Sequence, residues 1–417
     1  MKYLFFLFAL CIGMLHSQAQ TKSYAFARKN GQWGLIDEQG KNSIPFAWDI
    51  LYTPTVFLAP YLNESKSLLY HPSEGLLKFR ERNRFGYISL QNKVVIQSRF
   101  VHASDFNRGY AIVFNGVKYG IIDTLGNYLF EPTKYELLNE REGLVLFRHH
   151  KKYGFMDLKG NLVIPSDYDD AFSFHEGLAA VSYKHKYGYI NLKGEWIIQP
   201  SFDNAKSFHK LRAVVTVGLG VGLIDEKGNW LLKPVNQELI EAGDGYYKVK
   251  RNMSWGLLDS LGREVIPCKY GQIGDIFNQQ IILQNGINSG VSNLNYKFII
   301  PFSAAVITTS GEGYYLVQKD FMSCFYNQKG QRLNDTCYEK ASDFSEGLAR
   351  VIVGGKIGFI DTTGAMVIEP QFENAYDFHA GRCRARINKE WGFINRQGQY
   401  IMTPEFEHVS DYFSVTE

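Results

Sequence analysis

The amino-acid sequence predicts an all-β protein built from tandem repeats. An aromatic or aliphatic residue followed by glycine recurs every 34 residues, as at Gly86, Gly120 and Gly154. An Asx-x-x-Gly turn comes next, and an apolar pair with proline follows. Helical tetratricopeptide repeats have the same period, but glycine, proline and β-branched pairs in each unit are poor helix formers. We therefore expect short strands separated by tight turns, not helices.

The glycine of the recurring pair, here called the anchor glycine, marks eleven units. Ten of them are in strict phase, and the first interval, from Gly34 to Gly86, is longer than the others, which places an insertion at about residues 51–70. Glycine is lost from the anchor position in one unit, the ninth. The anchor positions are Gly34, Gly86, Gly120, Gly154, Gly188, Gly222, Gly256, Gly290, Cys324, Gly358 and Gly392.

Each unit reads as a three-stranded antiparallel meander. In the fourth and fifth units, residues 176–181 (EGLAAV) form a strand entered through a glycine turn, and the strand around the anchor glycine ends at an Asx-Gly turn such as Asp157–Gly160. A third strand then reaches Pro165, whose missing amide donor closes it. The recurrent Asp could ligate a metal, but it offers one carboxylate per unit and Asn191 replaces it in the next unit, so we interpret it as a turn cap.

Eleven short units can be arranged in two ways. Propellers usually have about four to eight blades of about 40 to 50 residues. We therefore expect an open β-repeat array or superhelix, with propeller-like closure as the alternative.

Two segments carry a resemblance to a known family. Residues 31–40 read GQWGLIDEQG and residues 389–398 read KEWGFINRQG. They resemble the WG repeat, also called the KWG repeat, of bacterial proteins. The resemblance implies a β-rich repeat scaffold, often in exported proteins, with no general enzymatic activity and no cofactor.

Residues 1–19 have the features of a secretory signal peptide. Lys2 precedes an apolar run over residues 3–15, and Ser17 and Ala19 supply small residues at the cleavage site. The run is shorter than the ~20 apolar residues that a membrane span needs. We expect residues 20–417 to form the WG-repeat domain of an exported protein in the periplasm, on the cell surface or in the medium, with no transmembrane segment after cleavage.

Charge and motifs exclude several classes of function. The chain has 45 Lys+Arg and 42 Asp+Glu, a formal net charge of +3, so we expect no nucleic-acid partner. We find no nucleophile elbow, zinc-protease motif, phosphate loop or dinucleotide fingerprint. The sequence favours a non-enzymatic scaffold or binding module in the cell envelope, with a glycan-binding module as the alternative and an unidentified envelope protein or anionic glycan as partner.

A basic residue followed by an aromatic residue precedes the anchor glycine in units two to five. Equal positions of stacked units form columns, so we expect this basic stripe to offer charge and ring stacking to an anionic ligand, or else to hold core tyrosines beside solvated lysines. The candidate ligand-binding residues are Arg84, Lys118, Tyr119, Lys152, Tyr153, Lys186 and Tyr187, with His149, His150, Lys151, Lys184 and His185 close by.

The four cysteines after the leader show no CxxC spacing. Cys324 and Cys337 are the nearest pair in sequence, and an exported protein could oxidise them. Simple hairpin pairing would set position 324 nearer to position 334. The sequence therefore leaves open whether Cys324 and Cys337 pair.

Overall fold

The computed structural model describes residues 21–52 and 67–416, and in these ranges the chain is all-β. The described strands form eleven small sheets, one per sequence unit, arranged as the blades of a propeller. The predicted leader (1–19) and most of the predicted insertion lie outside the described residues.

The strands follow the period of the sequence. In blades 1 to 4 they are β1 (Thr21–Lys29), β2 (Gln32–Asp37), β3 (Asn42–Trp48), β4 (Ile50–Tyr52), β5 (Ser67–Ser73), β6 (Leu76–Glu81), β7 (Arg84–Ser89), β8 (Val94–Phe100), β9 (His102–Ala103), β10 (Tyr110–Phe114), β11 (Tyr119–Asp123), β12 (Glu136–Arg141), β13 (Leu144–His149), β14 (Lys152–Asp157) and β15 (Leu162–Tyr168).

Blades 5 to 8 have four strands each. They are β16 (Asp170–Ala171), β17 (Leu178–Tyr183), β18 (Lys186–Asn191), β19 (Trp196–Phe202), β20 (Asn204–Ala205), β21 (Arg212–Val217), β22 (Gly220–Asp225), β23 (Trp230–Asn236), β24 (Glu238–Gly243), β25 (Tyr246–Arg251), β26 (Ser254–Leu258), β27 (Glu264–Tyr270), β28 (Gln272–Ile273), β29 (Gln280–Asn285), β30 (Asn288–Asn293) and β31 (Phe298–Ala304).

The remaining strands complete blades 9 to 11 and return to blade 1. They are β32 (Val306–Thr309), β33 (Tyr315–Lys319), β34 (Met322–Tyr326), β35 (Lys340–Ser345), β36 (Leu348–Val353), β37 (Lys356–Asp361), β38 (Met366–Phe372), β39 (Asn374–Ala375), β40 (Cys383–Ile387), β41 (Glu390–Ile394), β42 (Tyr400–Phe406), β43 (His408–Val409) and β44 (Phe413–Thr416).

A typical blade has four antiparallel strands, which we call A to D in chain order. The three predicted strands are B, C and D, as in β17, β18 and β19 of blade 5, and the short strand A, here β16, pairs with B. Strand A was not predicted, because its two residues belong to the connection between units. Blade 2 has an additional strand, β4, parallel to β5, and blades 3 and 9 hold their D segments by isolated bridges.

The ring closes through the two ends of the described chain. Strands β43 and β44 both pair with β1, so blade 1 takes its A strand from the C-terminal end. The described residues form eleven apolar clusters between neighbouring blades, and one of them joins Trp391 and Phe393 of blade 11 to Ala25, Ala27 and Ile36 of blade 1. The expected open array is therefore wrong and its alternative, closure, is confirmed, because an open array would leave this last interface exposed.

The anchor glycine is required by a close approach, not by a left-handed backbone. A Cβ atom on Gly188 would lie 2.5 Å from the carbonyl oxygen of Ile198, where strand D bulges against strand C, and a Cβ atom on Gly154 would lie 2.7 Å from the carbonyl oxygen of Ile164. Strand D bends there, since Tyr187 pairs with Phe202 while Tyr189 pairs with Ile198. The WG motif therefore marks the point where strand D bulges against strand C within a blade.

The same bend explains the disulfide. Cys324 and Cys337 are bonded in blade 9, with their Cα atoms 4.5 Å apart. The expectation that position 324 lies nearer to position 334 is wrong, because the bent D segment returns to the start of strand C, as in the bridge between Ser323 and Tyr338. Blade 9 thus replaces the close glycine contact by a covalent link.

The blade topology gives the ring two distinct faces. The hairpin between strands B and C and the connection from strand D to the next strand A lie at one end of the strands, which we call the BC face. The A–B turns and the Asx-Gly turns between C and D lie at the other end, the CD face. A BC tip is the two-residue turn whose second residue stands three positions before the anchor position, such as Lys184-His185 in blade 5.

Candidate binding face

The basic stripe lies at the start of strand C, on the BC face. Lys118, Lys152 and Lys186 are exposed, and Arg84 is half-buried. They occupy equal positions in four consecutive blades. The predicted column is thus present as a geometric feature, while its role in binding stays a prediction.

Two of the stripe lysines are held by aspartates of the D–A connections. The Nζ atom of Lys152 lies 2.5 Å from Asp169, and Lys186 forms the equivalent ion pair with Asp203. Asp169 also accepts a hydrogen bond from the backbone amide of His185 in the next blade, at 3.2 Å. The bond from Lys152 lowers the pKa of Asp169, and the bond from Lys186 lowers the pKa of Asp203. These lysines therefore help to join blades, which reduces the charge they offer to a ligand.

The stripe tyrosines pack between the blades. Tyr153 and Tyr187 are half-buried against the apolar clusters, and the Tyr187 hydroxyl donates a 2.5 Å hydrogen bond to Asp170. Tyr119 packs on Phe114 with ring centroids 4.5 Å apart, and burial raises its pKa. The structure thus separates the two halves of the motif: basic groups reach the surface and tyrosine rings serve as packing.

The BC tips themselves extend the positive surface. His150, Lys151, Lys184 and His185 are exposed residues in left-handed turn conformations, with φ between 49° and 65°. A depression of about 490 Å³ beside them is lined by Lys134, Glu136, Arg148, His149, His150 and Lys151. Blades 4 and 5 therefore present a basic surface whose charges stand at protruding turns.

Exposed aromatic side chains form no column on neighbouring blades in the described part of the chain. Phe172 and Tyr376 share a repeat position but belong to blades 5 and 11, and Tyr128 and Trp230 share another in blades 3 and 6. The stacking surface that the glycan alternative needs is therefore not built by repetition.

The recurrent aspartates behave as turn caps. Asp157 Oδ1 accepts hydrogen bonds from the amides of Lys159 and Asn161, at 2.9 and 2.8 Å. Within residues 21–52 and 67–416, no group of three or more His, Cys, Asp or Glu side chains could hold a metal ion. Over the same residues, no helix is long and apolar enough to cross a membrane.

A family model described as a WG-containing repeat matches this chain in eight places that together span more than half of it. The matched residues are 33–53, 85–118, 153–186, 187–218, 255–281, 338–356, 357–391 and 391–414. A search among curated proteins found no match.

Several solved structures share a weak overall similarity. A eukaryotic initiation factor is 10% identical over 76% of this chain and 97% of its own, with a TM-score of 0.41. Hsv2p of Kluyveromyces lactis is 8% identical over 58% of this chain and 97% of its own, with a TM-score of 0.33. PorZ, a bacterial surface component of the type-IX secretion system of Porphyromonas gingivalis, is 10% identical over 90% of this chain and 63% of its own, with a TM-score of 0.25. These scores are too low to support an argument about this chain.

Proposed function

Because the chain belongs to the family of proteins with WG-containing repeats, we propose that it is a non-enzymatic, exported scaffold that binds an acidic partner in the cell envelope. The observation that carries the proposal is the basic surface at the BC tips of blades 4 and 5. Its charges stand at exposed turns of paired strands, so they can meet a partner without rearrangement of the ring.

Export is supported by two independent features. Residues 1–19 have the order of a secretory leader. The disulfide between Cys324 and Cys337 is typical of proteins in oxidising compartments, since cytosolic thiols are kept reduced. The periplasm, the cell surface and the medium all fit these features.

The test is capture of a partner from envelope extract by residues 20–417, compared with the variant Lys118→Glu, Lys151→Glu, Lys184→Glu. Lys151 and Lys184 stand at BC tips, and Lys118 is exposed at the start of strand C in the neighbouring blade. We expect the variant to lose capture, and we expect high salt to weaken capture by the unmodified chain, because exposed charges are screened.

A matched control places the same charge change on the CD face. Lys159, Lys193 and Lys227 are exposed in the Asx-Gly turns of blades 4 to 6, so their replacement by Glu alters net charge equally. We expect this variant to capture normally. Equal loss in both variants would refute a localised site, and capture that ignores both variants and salt would refute an electrostatic partner.

An anionic glycan is the alternative partner. It would use the same basic tips, without the aromatic column that neutral sugars require. Binding of the unmodified chain to sulfated or uronic-acid glycans on an array, lost in the Lys118→Glu, Lys151→Glu, Lys184→Glu variant, would select this alternative over an acidic protein.

A further inference from the structure

Four consecutive blades carry an apolar side chain at the second position of the BC tip. Leu219, Met253, Ile287 and Phe321 stand three residues before the anchor position of blades 6 to 9, and their exposed fractions are 98%, 70%, 77% and 100%. These four residues, which we call the apolar arc, occupy the same place in the repeat and lie on the same face of the ring.

High exposure of apolar side chains is concentrated at this repeat position. Among the described residues, seven large apolar side chains are at least 70% exposed, and five of them are BC tips: the apolar arc and Val117 of blade 3. The other two, Leu125 and Leu261, lie in Asx-Gly turns on the CD face. Scattered exposure of single apolar residues is ordinary, but repetition in four adjacent blades is not.

The fold itself does not require apolar residues at these tips. Met253 and Phe321 have φ of 63° and 64°, a left-handed conformation that bulky side chains avoid and that Asn or Gly adopts easily. Other blades have those residues at the same position, namely Gly31, Asn83 and Gly355. A strained and fully exposed phenylalanine contributes nothing to the core, which points to a role at the surface.

The apolar arc continues a basic arc on the same face. The tips of blades 6 to 8 are Gly218-Leu219, Asn252-Met253 and Gly286-Ile287, and none of them has a charge, while the tip of blade 9, Asp320-Phe321, carries one carboxylate. The tips of the two preceding blades are His150-Lys151 and Lys184-His185. The BC face therefore presents protruding apolar side chains directly beside protruding cations.

We infer that the BC face docks on the surface of an anionic phospholipid bilayer. The side chains of the apolar arc enter the boundary between headgroups and acyl chains, while the lysines of blades 4 and 5 meet anionic headgroups. Equivalent turns of a closed ring lie on one face, which suits a planar partner. Single side chains on separate hairpins also need no complementary pockets, because acyl chains adapt to them.

This inference rests on the proposed function, since it names a lipid surface as the acidic partner of the same face. The test is sedimentation of residues 20–417 with vesicles made of equal parts phosphatidylcholine and phosphatidylglycerol. The variant Leu219→Asn, Met253→Asn, Ile287→Asn, Phe321→Asn removes the apolar arc. Asn tolerates the left-handed conformation of Met253 and Phe321, and Leu219 and Ile287 are exposed at turns, so the variant keeps its fold and thermal stability, while vesicle affinity falls by roughly tenfold per tip.

A control variant, Leu125→Asn with Leu261→Asn, removes comparably exposed apolar side chains from the CD face. We expect it to bind vesicles as the unmodified chain does. Equal loss in both variants, or no vesicle binding by the unmodified chain, would overturn the inference.

Changing the shape of side chains in the apolar arc distinguishes a lipid partner from a protein pocket. Phe321→Trp and Leu219→Met preserve apolar character but alter contour, so a lipid partner accepts them while a fitted protein groove rejects them. Capture of an envelope protein that is lost with these two changes, and no binding to vesicles, would replace the lipid by a protein partner.

The two proposals fail in distinguishable ways. If the scaffold proposal holds and the lipid inference fails, the Lys→Glu variant loses its envelope partner while the unmodified chain does not bind vesicles. If the scaffold proposal fails, the Lys→Glu variant keeps both its envelope partner and its binding to vesicles, and the lipid inference, which rests on that proposal, fails with it.

Discussion

Asp157 shows how one side chain fixes a turn that the repeat uses throughout. Its carboxylate accepts hydrogen bonds from two backbone amides and from the side-chain amide of Asn161, whose Nδ2 atom lies 2.9 Å from Oδ2. In the next blade Asn191 accepts the equivalent hydrogen bonds from the backbone amides of Lys193 and Glu195, both at 3.0 Å. The shared requirement is an acceptor at this position, so the exchange of Asp for Asn that the sequence shows is explained by geometry.

Asp157→Ala should lower the free energy of unfolding by about 1 to 2 kcal/mol, because the turn amides lose their acceptor. The hydrogen bond from Asn161 lowers the pKa of Asp157, so its stabilisation is present above the unfolded pKa and is lost as pH falls through the folded one. The check is to measure the free energy of unfolding of the unmodified chain and of Asp157→Ala by denaturant, at neutral pH and below about pH 4. Asp157→Asn should leave the free energy of unfolding nearly unchanged at both pH values. A loss of stability as large as that of Asp157→Ala would contradict the capping role.

Gly188→Ala should be more costly than its size suggests. The new Cβ would lie 2.5 Å from the backbone oxygen of Ile198, and backbone cannot yield as a flexible side chain does. We expect a loss of about 1 to 3 kcal/mol in the free energy of unfolding. Gly274→Ala is the control, since its nearest contact, Ile282 Cβ, would be at an ordinary 3.4 Å. Equal losses of stability in the two variants would mean that the close contact with strand D is not what requires glycine at position 188.

At the scale of the blade, the sequence predicts what is local. Strands B, C and D, the Asx-Gly turns and the anchor period follow from residue types and spacing, and the structure confirms them. The bend of strand D could not be predicted, because it arises from the shift in pairing register between strands C and D. The short strand A was not predicted for a similar reason: Asp170–Ala171 becomes a strand only through its pairing with β17.

Loss of the disulfide should destabilise blade 9, while the turns of the neighbouring blades stay folded. The two cysteines are 13 positions apart, and closing a loop of this size contributes about 3 kcal/mol in the chain-entropy description. We expect Cys324→Ser with Cys337→Ser, and also the reduced unmodified chain, to unfold at lower denaturant concentration by a matching amount. Unchanged stability in the double variant would show that the bent D segment is held without the covalent link.

The candidate face illustrates what sequence reasoning finds and misses. The basic stripe was visible because Lys118, Lys152 and Lys186 repeat at one position. The apolar arc repeats as regularly, but an apolar residue in a β-rich sequence is first interpreted as core. Only the structure shows that Leu219 and Phe321 stand at hairpin tips with almost their whole surface exposed.

The closed ring is a property of the whole molecule that no unit encodes alone. Whether eleven units close depends on the small rotation at every interface, and the sequence shows the interfaces only as apolar residues. In the structure, strand pairing between the two ends of the described chain closes the ring: Ala27 pairs with Val409, and the amide of Phe26 donates a 2.9 Å hydrogen bond to Ser410 Oγ.

Removal of residues 408–416 should open the ring, since both strands that pair with β1 are deleted. The interface of blades 1 and 11 would then expose Ala25, Ile36 and Trp391 to water. We expect a larger radius of gyration by small-angle scattering, or self-association through the exposed interface. A truncated chain with the dimensions and stability of the intact one would contradict closure as the basis of the fold.

Binding on the BC face is the central claim, and site-specific photocrosslinking in whole cells tests it most directly, whatever the chemistry of the partner. A photoreactive residue would replace Lys184 or Leu219 on the BC face, and Lys193 or Leu261 on the CD face, in the full chain. We predict adducts, to protein, glycan or lipid, from the two BC positions and none from the two CD positions. Adducts from the CD face alone, or equally from both faces, would contradict the claim.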